Sequence, residues 1–248
     1  MDQQKLYQQS AAAQGPRRDY SPALVARDRF VLERIREEAT VNRPLEIAEL
    51  SVGDGRMTLG ILGAFPSARL TCAELSELRI DQLRREIAGE PSLSGRMPEF
   101  ASCNFDTDFD CFASETFDAV VALDIMEHVF DVFGFVENCR RILKTDGRLF
   151  LRVPNIAYVK HRLELLRGRL PATASWFGPR GDLSAWRDKH GWDGGHLHFF
   201  TVPVLRRLLQ EGGLVIESCD DPGTKWVVLR RLWPNLLFSN PLMVARKK

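Results

Sequence analysis

The run Leu45-Glu-Ile-Ala-Glu-Leu-Ser-Val-Gly-Asp-Gly-Arg-Met57 limits the folds open to this chain more than any other segment. An apolar strand ends near Glu49 and passes into a glycine turn, Gly53-Asp54-Gly55, from which a helical pattern starts. Strand, glycine turn and helix in that order open a βαβ unit, and a turn without Cβ atoms lets backbone approach a ligand closely. Glu49 and Asp54 place two carboxylates on that approach. A pyrophosphate would be repelled there, whereas an amine, a ribose diol or a sulfonium would be held.

From residue 45 onward, apolar runs near 45–50, 68–74, 99–104, 117–123 and 147–153 alternate with helical patterns near 56–64, 76–89, 131–144 and 155–168. Such alternation predicts an α/β, doubly wound, mostly parallel sheet covered on both faces, whose ligands bind beyond the carboxyl ends of the strands. Residues 1–20 are polar and read as a flexible tail. Ser21-Pro22 gives a helix start that runs to about Glu38, and residues 21–248 form one domain. Residues 169–200 interrupt the rhythm with Trp176, Phe177, Trp186 and Trp192 among glycines and charges, and read as a cap insertion. A helix over 202–211 stops at Gly212-Gly213, a strand follows over 214–219, and 242–245 is expected to return as a final edge strand.

Composition removes several classes of function. Lys and Arg number 34 against 33 acidic residues, so there is no net field to draw nucleic acid or anionic lipid. The five cysteines lack any C-x-x-C pair and read as buried free thiols, neither a disulfide framework nor a zinc site. No run of about 18 apolar residues is present, so no transmembrane segment and a cytoplasmic location are expected.

The strand ends carry the chemistry. In order they present Glu49, Glu74, Asp106, Leu123-Asp124 and Val153-Pro-Asn155. Glu74 follows Gly53 by about twenty residues, the spacing at which the next strand of a βαβ unit offers an acid to a ribose diol. Together with Ala73-Glu-Leu-Ser76, Thr116–Val129, Arg140–Gly147 and His196-Leu-His-Phe-Phe-Thr201, these motifs resemble the class I S-adenosylmethionine-dependent methyltransferases, small-molecule branch, over about residues 45–220. The resemblance implies a Rossmann-like, seven-stranded sheet and S-adenosyl-L-methionine as cofactor. It puts Glu49, Gly53 and Gly55 at the methionine end, Glu74 at the ribose, Asp106 at the adenine amine and Leu123 again at the methionine, with Ser51 and Leu75 also among the cofactor contacts. Ser51 stands where the family usually has the first glycine of its turn.

Asp124, Glu127 and His128 form a D-x-x-E-H set similar to the metal-binding E-x-x-E-H of quinone-type O-methyltransferases. A divalent metal there is weighed but not favoured, because Glu127 and His128 also suit the helix start that follows. His196 and His198 face one side of an extended segment. His196 is the first candidate general base and His128 the second, while Trp176, Trp192, His198 and Asn155 are expected to line the acceptor site. After the fourth strand the chain lacks the Asn-Pro-Pro-aromatic turn that grips a flipped base, so the acceptor is a small molecule, with a sugar or secondary-metabolite hydroxyl preferred. A homodimer is left open by the apolar stretch Leu232–Phe238. Two rival readings stand beside this one: a nicotinamide-dependent oxidoreductase, disfavoured by Thr58 at its third glycine position, and a non-catalytic adenosylmethionine-binding or assembly subunit, motivated by Ser51.

Overall fold

The computed structural model describes residues 24–38, 43–171, 173, 196–223 and 231–248. The expected tail, the Ser21-Pro22 helix start and the insertion tryptophans Trp176, Trp186 and Trp192 lie outside them.

The described chain begins with helix α1 (Ala26–Glu38) and then alternates β1 (Glu46–Leu50), α2 (Arg56–Ala64), β2 (Arg69–Glu74), α3 (Glu77–Gly89), β3 (Glu99–Ser102), β4 (Phe117–Leu123), α4 (Val132–Ile142) and β5 (Leu143–Arg152). Helix α5 (Val159–Leu166), α6 (Val202–Glu211), β6 (Leu214–Asp220), the single turn α7 (Pro234–Leu237) and β7 (Leu242–Lys247) complete it. The seven strands form one sheet in the order β3-β2-β1-β4-β5-β7-β6, as the sequence pattern predicts for a doubly wound fold. Strands β1 to β5 are parallel; β7 runs antiparallel to both β5 and β6.

The expectation of a C-terminal edge strand is corrected here. β7 lies inside the sheet between β5 and β6, pairing Phe150 with Val244 on one side and Ile216 with Ala245 on the other. The reason is its composition: Leu242, Met243, Val244 and Ala245 are all fully buried, and a strand apolar on both faces is an interior strand. β5 also starts earlier than the apolar run suggested. Its pairing with β4 shifts register between Phe117 and Ala119, and Gly147 sits at that irregularity, where an added Cβ would lie 2.9 Å from Lys144 O and 3.0 Å from Phe117 O.

Side chains alternate across the sheet and feed two cores. Val120 and Ala122 of β4 join Phe135 of α4 and Leu205 of α6, while Ala119 and Val121 join Ile35 of α1, Ile61 of α2 and Leu83 of α3. Local chemistry starts the helices where the strands leave them. Ser76 Oγ accepts the Arg79 amide at α3, Asp131 the Gly134 amide at α4, and Thr201 the Val204 amide at α6, each an N-cap that fixes where the strand-end loop stops.

One core residue connects packing to the ligand side of the sheet. Phe135 is fully buried and packs edge-on against Phe105 at 5.9 Å and Phe109 at 5.6 Å, which anchors the loop after β3. Phe135→Ala is expected to cost about 3–5 kcal/mol, measured by urea unfolding with an unchanged slope. A loss under about 1 kcal/mol would show that the loop does not depend on this aromatic cluster.

Candidate functional site

The order of strands reverses on either side of β1, and the carboxyl ends of β1 and β4 frame a crevice there. A cavity of about 340 Å³ occupies it, lined by Glu49, Ser51 and Gly53 after β1, by Leu123 and Asp124 after β4, and by Arg27 of α1. A narrower cavity of about 40 Å³ continues past β2, between Leu75 and Asp106. Ser51, Glu74, Ile125 and His128 border both, so the two form one elongated cleft with Glu74 at its waist. A larger groove of about 780 Å³ opens between α1, α2 and α3, lined by helix residues that include Arg29, Glu33, Arg36 and Arg85, and none of the strand-end residues borders it.

The glycine turn is built as the sequence predicts, with a different division of labour. Gly53 and Gly55 adopt left-handed backbone at φ 50° and 74°. Around Gly53 there is open space, which suits close approach of a ligand. Gly55 borders neither cavity; a Cβ there would meet the Leu83 side chain at 2.9 Å, so its missing side chain also serves the packing of α2 on α3. Ser51 keeps the left-handed conformation of a glycine, at φ 68°, and its hydroxyl lies 3.5 Å from Glu74 Oε2. A side chain in that region costs about 1–2 kcal/mol, a strain the turn holds at Ser51.

Glu49 borders the cavity, yet its carboxylate turns inward, accepting the Thr58 hydroxyl at 2.6 Å and the Cys72 thiol at 3.8 Å. Burial pushes its pKa up to about 8 against the opposing pull of the Thr58 hydrogen bond. Glu74 accepts the Ser76 amide at 3.1 Å and is 5% exposed, which leaves it facing the waist of the cleft. Asp106 Oδ1 accepts the amides of Phe130 at 2.8 Å and Asp131 at 3.3 Å, tying the loop after β3 to the loop after β4.

Arginines are what the sequence reading missed. Arg27, Arg56 and Arg79 line the larger cavity alongside Glu49, Asp54, Glu74 and Asp124. Asp54 is paired with Arg56, and Asp124 is paired with both Arg27, at 3.2 Å, and Arg152. The field is therefore zwitterionic, not simply anionic, and fits a ligand that carries an ammonium or sulfonium together with a carboxylate. Charge sums along the chain cannot expose this, because Arg27 reaches Asp124 across 97 residues.

The residues proposed for chemistry converge in part. Glu127 and His128 lie in a 3₁₀ turn (Met126–His128) after β4, and the Glu127 carbonyl accepts the amides of Leu197 at 2.9 Å and His198 at 3.2 Å, drawing the 196–198 segment against it. His196 thereby stands edge-on to His128 with ring centres 4.9 Å apart, its Nδ1 3.1 Å from the Thr173 hydroxyl and its Nε2 3.9 Å from Glu127 Oε1. Burial, reinforced by the neighbouring His196, takes the His128 pKa down to about 4; burial also lowers that of His196, opposed by Asp124. Both shifts favour the neutral ring. Glu127 is 1% exposed, both its oxygens lack a hydrogen-bond partner among the described residues, and burial raises its pKa to about 8.

Donor atoms of Glu127, His128 and His196 all lie within 4.8 Å of one another. The candidate metal set differs from the one considered from sequence: Asp124 Oδ2 is paired with two arginines, and His196 stands beside Glu127 and His128. Asn155 is a second correction. It is fully buried, donates to Asn235 O at 3.0 Å and Phe238 O at 2.8 Å and accepts the Ala157 amide, so it clamps loops together and lines neither cavity. His198 bonds the Phe130 carbonyl at 3.2 Å, outside both cavities. Trp176 and Trp192 fall outside the described residues.

The thiols divide differently from expectation too. Cys72, Cys103 and Cys139 are buried, Cys219 is half-buried and Cys111 is exposed. No helix among the described residues is long and apolar enough to cross a membrane.

Residues 48–149 match a family model described as a methyltransferase domain. Among curated proteins, the chain is 26% identical over 176 residues to the mitochondrial ubiquinone biosynthesis O-methyltransferase of Bos taurus, covering 70% of this chain and 42% of that protein. It is 31% identical over 128 residues to the ubiquinone biosynthesis O-methyltransferase of Methylocella silvestris, covering 51% and 47%. The chain thus spans less than half the length of these two relatives. Among solved structures, an S-adenosylmethionine-dependent methyltransferase from Mesorhizobium loti superposes with TM-score 0.58 at 16% identity, covering 87% of this chain and 98% of that one. The [4+2]-cyclase SpnF superposes equally well, TM-score 0.58 at 15% identity, covering 98% and 91%. The fold is shared across different reactions, so function has to be argued from the site.

The buried Glu49 carboxyl gives a pH test. Its folded pKa of about 8 lies above its ordinary value, so its contribution to stability is fully present in acid and is lost as pH rises through 8. Glu49→Gln keeps an acceptor for Thr58 without titrating. The variant's Tm relative to the parent should therefore climb between pH 5 and pH 8 and level off above; a pH-independent offset would mean that Glu49 is not held protonated by burial.

Proposed function

We propose that this chain, a class I S-adenosylmethionine-dependent methyltransferase by its domain match and its fold, binds S-adenosylmethionine along the strand-end cleft and methylates a hydroxyl of a small-molecule acceptor. The observation that carries the reading is the shape and charge of the cleft. A zwitterionic chamber is joined through Glu74 to a narrow slot closed by Leu75 and Asp106. That order suits the amino-acid end, the ribose diol and the adenine of one extended ligand. Arg27 and the backbone of Ser51 and Gly53 would receive the carboxylate end, Glu74 the diol and Asp106 the exocyclic amine.

The cofactor supplies an electrophilic methyl on a sulfonium, and displacement there demands alignment and exclusion of water more than a strong acid. His128, at the wall of both cavities, bounds the reacting end. His196 is the better proton acceptor of the two rings, because its basicity is less depressed and Asp124 opposes that depression. The curated relatives are named for O-methylation in ubiquinone biosynthesis, and Phe130, Phe133, Leu197 and Phe199 expose apolar surface on the segments that flank the histidines. Both facts support a secondary-metabolite acceptor with a ring hydroxyl over a sugar.

The first test follows label from methyl-labelled S-adenosylmethionine into a panel of catechols and a panel of sugars. Transfer to catechols is expected; transfer to sugars alone would overturn the ring-hydroxyl assignment, and binding without transfer to either would favour a non-catalytic role. His196→Ala should lower kcat by about 10²–10⁴ with affinity for S-adenosylhomocysteine unchanged. Unaltered turnover would remove His196 from the chemistry.

A second reading rests on the unpartnered Glu127 carboxylate. Glu127, His128 and His196 offer one carboxylate and two imidazoles, a donor set that fits a divalent transition metal, which would act as a Lewis acid on the acceptor oxygen. Full activity after exhaustive chelation eliminates this reading; loss restored by zinc or manganese supports it.

A further inference from the structure

Cys103 directly follows β3 and is 1% exposed, whereas Cys111 ends the 3₁₀ turn Phe109–Cys111 and is exposed to solvent. Their sulfurs are 3.5 Å apart, against about 2.05 Å in a bonded pair. The segment between them is a tight loop: Asn104 O accepts the amides of Thr107 at 3.0 Å and Asp108 at 2.7 Å, and Arg141 holds its far end through Phe109 O and Phe112 O. Asp106 sits at the tip, and Cys103 itself borders the narrow slot.

We propose that Cys103 and Cys111 are a modification site, a dithiol that a peroxide converts to a disulfide, and that the bridge weakens ligand binding on the adenine side of the cleft. The slot is narrow, about 40 Å³, and Cys103, Asn104, Phe105 and Asp106 of the loop form one wall of it, so an adenine seated there presses that wall outward. In the reduced protein the loop's two ends touch through a yielding sulfur contact. A covalent bond between them holds the closed form.

The chemistry balances with hydrogen peroxide as oxidant. The exposed Cys111 sulfur attacks one peroxide oxygen, giving the sulfenic acid and releasing water; the Cys103 sulfur then displaces that oxygen, and the Cys103 proton leaves with it as a second water. Two thiols lose two electrons and peroxide gains them. Burial raises both thiol pKa values, so the reaction should accelerate as pH rises.

The experiment uses the full chain treated with hydrogen peroxide and then alkylated without reductant. No lysine or arginine lies between Arg96 and Arg140, so a protease cutting before Asp106, Asp108 and Asp110 is needed to separate the two cysteines. A Cys103–Cys111 linked peptide, reversed by dithiothreitol and absent in Cys111→Ser, is expected; both thiols alkylated, or Cys111 driven to sulfinic acid without a link, overturns the site. The affinity arm rests on the adenosyl reading above. Oxidation should weaken S-adenosylhomocysteine binding by about tenfold, and the bound ligand should disfavour the bridge by the same factor. A linked protein of unchanged affinity overturns the gate. Failure of the reduced protein to bind S-adenosylhomocysteine strikes the adenosyl reading instead and leaves the disulfide result standing.

Discussion

The parallel pairing of β1 with β2 on one side and β4 on the other is the constraint from which the site follows. Glu49 is level with Cys72 of β2 and Val121 of β4, so the three strands end together and their loops leave from one edge. Because successive crossovers depart in opposite directions from β1, the loops after β1 and β4 diverge and leave a crevice. Each strand end then needs only one suitable residue. Glu49, Glu74 and Leu123-Asp124 supply them, and Asp106 follows just beyond β3. Burial at this edge raises the pKa values of Glu49 and Glu127.

Much of this was legible from residue order. Five parallel strands, the glycine turn and the carboxylates Glu49, Glu74 and Asp106 at or just past strand ends come from local patterns: apolar runs, turn chemistry and the fixed length of a βαβ unit; Ser51, Leu75 and Leu123, which border the same cleft, come from the family resemblance. What was not legible depends on partners far apart in the chain. Arg27 and Arg152 reach Asp124 over 97 and 28 residues, which turns a presumed anionic rim into a mixed one. Asn155 has the right strand-end position, but its amide is consumed by carbonyls 80 and 83 residues onward. β7 looked like an edge because it comes last, and its burial on both faces was the signal that it is not.

Glu127 illustrates how one residue serves packing and chemistry together. Its backbone carbonyl gathers the 196–198 segment, which brings His196 beside His128, while its side chain is left buried without a hydrogen-bond partner among the described residues. A buried carboxyl in that state is a cost to the fold of about 1–3 kcal/mol or more. Sites of chemistry are where such costs are retained.

The proposed function turns on Glu74, which at the waist of the cleft would hold a ribose diol. Calorimetric titration with S-adenosylhomocysteine, run on the parent and on Glu74→Ala, reads that contact. One site per chain is expected in the parent and at least a tenfold loss of affinity in the variant, about 1.4 kcal/mol or more. Equal affinity in the two proteins, or no heat in the parent, would overturn the assignment of Glu74.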